Sequence, residues 1–93
     1  MQYGFKRSYD RSYQSLTSEQ QLSVDDCIKR LKDFYAGRTS LRQGLGLKKI
    51  GKNFWEVRAG LSIRVFFEYS SKGIVFYFTG DHNGNRRFIS GLS

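Results

Sequence analysis

Apolar residues in this chain switch between two spacings, and each switch predicts an element. Tyr3 and Phe5 alternate with Gln2, Gly4 and Lys6, which is the period of a short, half-buried strand. Tyr9, Tyr13 and Leu16 then fall at i, i+4 and i+7, so residues 8–16 are expected to form a short helix with Ser8 as its N-cap. A second helix restarts at Thr17-Ser18-Glu19-Gln20-Gln21, where Ser18 and Gln21 stand at capping-box spacing. Val24, Ile28, Leu31 and Tyr35 make one stripe, flanked by Cys27 and Phe34, with most charges off that stripe. Gly37 is the expected C′ residue. The product is a helical hairpin with one apolar face.

Beyond Gly37 the glycines Gly44, Gly46 and Gly51 interrupt Leu41, Leu45, Leu47 and Ile50, predicting a connection with one strand-like piece from Leu45 to Ile50. Three strands follow. Residues 54–59 alternate Trp55, Val57 and Ala59 against Phe54, Glu56 and Arg58. Residues 63–69 alternate Ile63, Val65, Phe67 and Tyr69 against Arg64, Phe66 and Glu68. Residues 74–79 are nearly all apolar, as suits a central strand. Short turns at Gly60-Leu61 and Ser70-Ser71-Lys72-Gly73 make these an antiparallel meander. Residues 81–93 are polar and basic, a short tail with one helical turn at Arg86-Arg87-Phe88-Ile89. The expected fold is therefore α+β: an N-terminal strand and a two-helix hairpin packed on a small antiparallel sheet, in the order β-α-α-β-β-β. The far face of that sheet is expected to carry Glu56, Arg58, Arg64, Tyr77 and Thr79.

Composition narrows the class. At 93 residues the chain is one domain's length, and eight Phe, six Tyr and one Trp supply a core that a disordered chain lacks. No apolar run nears the ~20 residues that span a bilayer, and Met1-Gln2-Tyr3-Gly4-Phe5-Lys6-Arg7 contains no secretory pattern. Cys27 is the single cysteine, so no internal disulfide is expected, and a cytoplasmic location fits. Charge is uneven. Residues 1–36 hold six basic and five acidic groups, net +1, while residues 37–93 hold ten and three, net +7. Such an excess suits a polyanion or an acidic protein partner, or solubility alone.

Few residues offer chemistry. His82 is the only histidine and follows the last strand; it is either a general acid or base, or a histidine in a surface turn. Arg64 interrupts an apolar strand. It either meets a phosphate with its planar fork or pairs with Glu56 or Glu68 across adjacent strands. Arg58 offers the same choice more weakly. Lys48, Lys49 and Lys52 precede the meander and Arg86 and Arg87 follow it, so the two ends are candidates for one basic rim along a nucleic-acid backbone, or for a solvated surface. Phe88 either stacks on a base or packs the tail onto the core. Phosphate-binding Gly-rich loops, metal-ligand clusters, Cys/His pairs and Gly-x-Ser-x-Gly are all absent from the sequence, so no metal and no cofactor are expected.

These residues, taken in order, resemble the RelE/ParE toxin superfamily. The resemblance is carried by residues 5–12, 16–19 and Gly46-Leu47-Lys48-Lys49-Ile50-Gly51. It is strongest in Trp55-Glu56-Val57-Arg58, Arg64-Val65-Phe66-Phe67 and Gly80-Asp81-His82. It covers essentially the whole chain as one toxin domain, residues 1–93. It implies a toxin of a type II toxin–antitoxin pair, bound by an acidic cognate antitoxin. In the RelE-like branch it implies a metal-independent endoribonuclease that cleaves mRNA on the ribosome through attack of the ribose 2′-OH on the adjacent phosphate. Arg64 then matches the strand arginine on the scissile phosphate, and His82 the histidine that YoeB-like and YafQ-like members use as acid or base. Arg58 and Glu56 stand where RelE has catalytic lysines, and Glu56 departs from that pattern because a carboxylate cannot replace a cation. Phe88 lies near the family's C-terminal aromatic, at a longer spacing from His82. The ParE-like alternative is a DNA gyrase inhibitor without nuclease activity, which generally lacks the histidine at this strand end.

Overall fold

Thr17 opens the long helix. Its Oγ1 accepts the Gln20 N–H at 3.1 Å while the Thr17 N–H donates to Gln20 Oε1 at 2.9 Å, a complete capping box. This box lies one residue earlier than the Ser18–Gln21 spacing suggests. Gln21 is engaged elsewhere: its Nε2 donates to the Tyr13 carbonyl at 2.9 Å and ties the two helices together. The computed structural model describes residues 2–38 and 46–92, so the expectations for Leu41, Gly44 and Leu45 lie outside the described residues.

The elements are β1 (Gln2–Phe5), α1 (Arg7–Gln14), α2 (Ser18–Tyr35), β2 (Lys48–Gly51), β3 (Phe54–Ala59), β4 (Ile63–Ser70), β5 (Gly73–Asp81) and α3 (His82–Gly91). Ser8 is not a cap. Lys6 holds the N-cap position with no side-chain bond, and the Ser8 hydroxyl donates to the Tyr77 carbonyl on β5 instead. Gly37 does end α2. At φ 77° it gives its N–H to the Phe34 carbonyl while Arg38 N–H reaches the Asp33 carbonyl, a Schellman closure.

The sheet is mixed, in the order β1-β5-β4-β3-β2. The meander is antiparallel throughout, but β1 runs parallel to β5, from Gln2 opposite Gly73 to Phe5 opposite Phe76. Alternation in a four-residue strand carries no information on direction, which is why a wholly antiparallel sheet was the simpler expectation. The helices α1 and α2 cover one face. There Val24, Cys27, Leu31, Val57, Val65, Phe67 and Phe76 are fully buried. Each large side chain among them contributes about 1.5–3 kcal/mol by leaving water. Truncating Phe67 to alanine would cost about 3–5 kcal/mol.

A β-bulge alters the second face. Phe66 pairs with Phe78 but Phe67 pairs with Phe76, leaving Tyr77 as the extra residue. Tyr77 and Phe78 therefore both turn away from α1 and α2. The bulge also moves Thr79 to the helix-covered face, opposite Val65 and 1% exposed, where simple alternation placed it on the far face with Tyr77.

The C-terminal tail is a helix of ten residues, not one turn. Asp81 caps it, its Oδ1 accepting the Gly84 N–H at 2.7 Å. Phe88 stacks on Phe78 at 4.8 Å between ring centres and meets Phe66 edge-on at 6.0 Å. That contact lays α3 on the sheet face opposite α1 and α2. None of the described helices is long and apolar enough to cross a membrane.

Candidate functional site

β3 and β4 place charge on the face that α3 shares. Their register sets Arg58 directly opposite Arg64, a like-charged pair that repels. Arg64 relieves it diagonally: its Nε lies 3.9 Å from Glu56 Oε1, and the two side chains are only 17% and 14% exposed. Arg64 Nη1 also donates to the Leu61 and Ile63 carbonyls, each at 3.4 Å. On its other side Glu56 faces Lys48 of β2. One carboxylate thus sits between cations from two neighbouring strands.

α3 completes the arrangement. Because Asp81 is the cap, His82 is the first residue of a helix, and not a turn residue as the sequence suggests. Arg86 follows one turn later, and its Nε donates to His82 Nε2 at 3.3 Å. An arginine has no lone pair to offer, so Nε2 is the acceptor in this contact. Lys48, Glu56, His82 and Arg86 line one pocket of about 150 Å³, closed by Ile50, Ile89 and Ser90. With Arg64 paired to Glu56, three cations, one carboxylate and one imidazole are gathered here. The arrangement suits a phosphate diester, since the cations can hold its charge and the imidazole can exchange a proton.

Other sequence candidates lie elsewhere. Lys49 turns to the opposite sheet face, its Nζ 5.8 Å from the Trp55 ring centre. Lys52 is exposed just beyond the end of β2, and Arg87 is exposed on α3; neither lines the pocket. Arg58 is exposed on β3, packed against Gly46, whose φ of 66° and close approach leave no room for a side chain. Phe88 packs on Phe78 and Phe66, not beside His82. Sequence reasoning missed Ile50, Ile89 and Ser90. Ile89 falls seven residues after His82 and three after Arg86, a helical signal that was legible only once the tail is read as a helix. Among the described residues, no group of three or more His, Cys, Asp or Glu is placed to hold a metal ion.

No protein-family model matches the chain, and no curated protein sequence does. Solved structures do. A chain of the RelB-RelE antitoxin-toxin complex from Methanococcus jannaschii superposes with a TM-score of 0.71 at 16% identity, covering 91% of this chain and 96% of that one. A chain of the toxin-antitoxin complex RelBE2 from Mycobacterium tuberculosis gives 0.55 at 14% identity, covering 86% and 95%. Identities this low speak to architecture alone. Strand, two helices, four-strand continuation and capping C-terminal helix together make this chain a protein of RelE toxin-like fold.

Proposed function

We propose that this single-domain chain is the toxin of a type II toxin–antitoxin pair and a metal-independent endoribonuclease acting on mRNA at the ribosome. The observation that carries the reading is the convergence of Lys48, Glu56, His82 and Arg86 on one pocket, with Arg64 paired to Glu56. The neighbours by fold come from antitoxin-toxin complexes, which supports an antitoxin partner. The +7 charge of residues 37–93 favours an acidic one.

In this mechanism the scissile phosphate takes the place of the Arg86–His82 contact. Arg86 turns its donors onto the phosphate oxygens, freeing His82 Nε2 to accept the proton of the attacking ribose 2′-OH. The 2′-oxygen bonds to phosphorus and the bond to the 5′-oxygen breaks. Lys48 donates a proton to that leaving oxygen, and Arg64 and Arg86 hold the charge that builds on the phosphorane-like transition state. Glu56 acts through Arg64 as a positioning residue, its Oε1 3.9 Å from the Arg64 Nε.

The deciding experiment incubates the protein with ribosomes and mRNA and maps the cuts. Discrete cuts ending in a 2′,3′-cyclic phosphate, formed in the presence of chelator, are expected. Intact mRNA together with inhibited supercoiling by DNA gyrase would overturn the ribonuclease reading for the ParE-like one.

A further inference from the structure

On the side of the sheet that α1 and α2 cover, Phe5, Tyr9, Asp10, Tyr13, Asp25 and Ile28 line a cleft of about 360 Å³. It shares no residue with the His82 pocket, and its volume lies within the roughly 300–1,000 Å³ typical of small-ligand clefts. Three rings form a ladder along it. Phe5, 47% exposed, lies 5.1 Å from Tyr9 between ring centres, and Tyr9 lies 5.8 Å from Tyr13. Two carboxylates join them. The Tyr13 hydroxyl donates to Asp25, 2.9 and 3.0 Å from its two oxygens, and so fixes that carboxylate. Among the described residues neither Asp10 nor Asp25 forms an ion pair, in a chain with sixteen basic and eight acidic residues. Tyr9 adds an independent sign of a ligand. It is 5% exposed, yet among the described residues its hydroxyl makes no hydrogen bond. A buried tyrosine hydroxyl ordinarily finds a partner, and leaving it without one is costly. Burial first, then the charges of Asp25 and Asp10, hold its proton on, which sets the hydroxyl toward the carboxylates of the cleft.

We infer that this cleft binds a guanidinium group, carried either by a small free molecule or by an arginine side chain of another protein. The inference stands apart from the ribonuclease reading and does not depend on it. Three features of the lining select the ligand. The rings attract a cation through their quadrupoles. The carboxylates neutralise it, and the Tyr9 oxygen has lone pairs free to accept an N–H. A guanidinium answers all three at once, because it is planar, lies flat on a ring and directs five donors outward in its own plane. An ammonium is compact and more strongly hydrated, so it gives up more water and covers less ring. A hard metal ion fits worse, since it asks for six or more oxygens and the cleft is half aromatic. The alkyl stem that carries a guanidinium finds apolar cover on Phe5 and Ile28.

The test titrates the intact protein, followed by NMR, with ethylguanidinium, ethylammonium and the neutral isostere ethylurea. Ethylguanidinium should perturb Phe5, Tyr9, Tyr13 and Ile28, bind more tightly than ethylammonium and weaken as salt rises, while ethylurea leaves these signals in place. Two further probes separate the sources. Agmatine binding where Nα-acetyl-arginine amide does not assigns a small free molecule, and binding of the blocked arginine at least as tightly assigns an arginine side chain; either result upholds the site. Two variants test the lining. Asp25→Asn keeps an acceptor for Tyr13 and should weaken ethylguanidinium about 2- to 5-fold. Tyr9→Phe keeps the ring and should weaken it about 2- to 10-fold without lowering the melting temperature, because the lost hydroxyl had no partner. The inference falls if no guanidinium probe moves the cleft signals. It falls too if Glu19, an exposed carboxylate of α2 outside the cleft, responds as strongly as Asp25, since that is unselective pairing. A Tyr9→Phe protein that loses stability but binds ethylguanidinium like the wild type would make the hydroxyl structural and also overturn it.

Discussion

Ser12 Oγ accepts the main-chain N–H of Thr79 at 3.0 Å, although 67 residues separate them in the chain. The bond closes an exposed strand edge. β1 pairs with β5 only as far as Phe76, and β5 runs on to Asp81. Over that stretch α1 takes the place of a strand. Lys6 N–H reaches the Phe76 carbonyl at 2.9 Å, and the Ser8 hydroxyl donates to the Tyr77 carbonyl. One turn further on, Ser12 serves Thr79 while donating its own proton to the Tyr9 carbonyl at 2.9 Å. Two serines at i and i+4 present hydroxyls to backbone groups that would otherwise invite another chain.

Ser12→Ala leaves the buried Thr79 N–H without an acceptor. The expected loss is about 1–3 kcal/mol. Each kcal/mol lowers the melting temperature of a domain this size by about 4–8 °C. Thermal unfolding measures the loss, and faster amide exchange at Thr79 than at Val65 locates it. An unchanged melting temperature would show that water replaces the serine.

Alkaline pH should destabilise the fold. Burial pushes the Cys27 thiol up to about 11 and the Tyr35 hydroxyl up to about 12, and raises Tyr9 as well. Between the ordinary value of each group and its raised one, the unfolded chain has released a proton that the folded chain still binds. Stability is thus fully present below about pH 9 and falls as pH climbs toward 11 and 12. Denaturant midpoints from pH 7 to 11 test the slope, and Cys27→Ala should flatten its first part. Cys27 should also resist thiol reagents at pH 8 until the protein unfolds.

Much of this was legible from spacing. Val24, Ile28 and Leu31 announced the buried face of α2, and Val57, Val65 and Phe67 that of the sheet. The losses have local causes. Thr17–Gln20 and Ser18–Gln21 have the same capping spacing, and only the Gln21–Tyr13 contact separates them. The Tyr77 bulge inverts alternation from Phe78 to the end of β5, and nothing in Val75-Phe76-Tyr77-Phe78 marks where it falls. The largest loss was α3. Its N-terminal stretch His82-Asn83-Gly84-Asn85 has poor helix propensity, and tertiary packing of Phe88 on Phe78 overrides it. With α3 unseen, Lys48 and Arg86 could be set on one candidate basic rim, but the contact of Arg86 with His82 one helical turn away was not legible.

Asp81 holds the site through that helix. Asp81→Ala removes the acceptor for Gly84 N–H and should cost about 0.5–2 kcal/mol, concentrated in the first turn of α3. Since that turn carries His82, mRNA cleavage should fall further than the global stability change accounts for. Asp81→Ser caps equally well and should restore both. Cleavage that survives Asp81→Ala undiminished would detach His82 from the chemistry.

The cations outside the pocket should act as phosphate ligands alone. Neutralising Lys49, Lys52, Arg58 and Arg87 one at a time should weaken RNA or ribosome binding without altering the cut positions. On a single strand, the slope of log affinity against log salt should shrink by about 0.7 for each phosphate left without its cation. Co-sedimentation with ribosomes at several salt concentrations provides the measurement, and an unchanged slope in the quadruple variant would exclude these four cations as phosphate ligands.

His82 and Arg64 should fail in different ways. His82 is exposed at the start of α3, where its imidazole holds Arg86, so His82→Ala should change stability by less than about 0.5 kcal/mol. Loss of a general base lowers the rate by about 10²–10⁴-fold, so cleavage and growth arrest should both disappear from a folded protein. Arg64→Ala is different because it leaves the Glu56 carboxylate, 14% exposed, without its diagonal partner. It should lose about 1–3 kcal/mol together with cleavage. The double variant Glu56→Leu, Arg64→Leu removes the stranded charge and should regain stability while staying inactive. Activity recovered along with stability in that double variant would mean that Arg64 serves only to neutralise Glu56, and the phosphate would then be held by Lys48 and Arg86 alone.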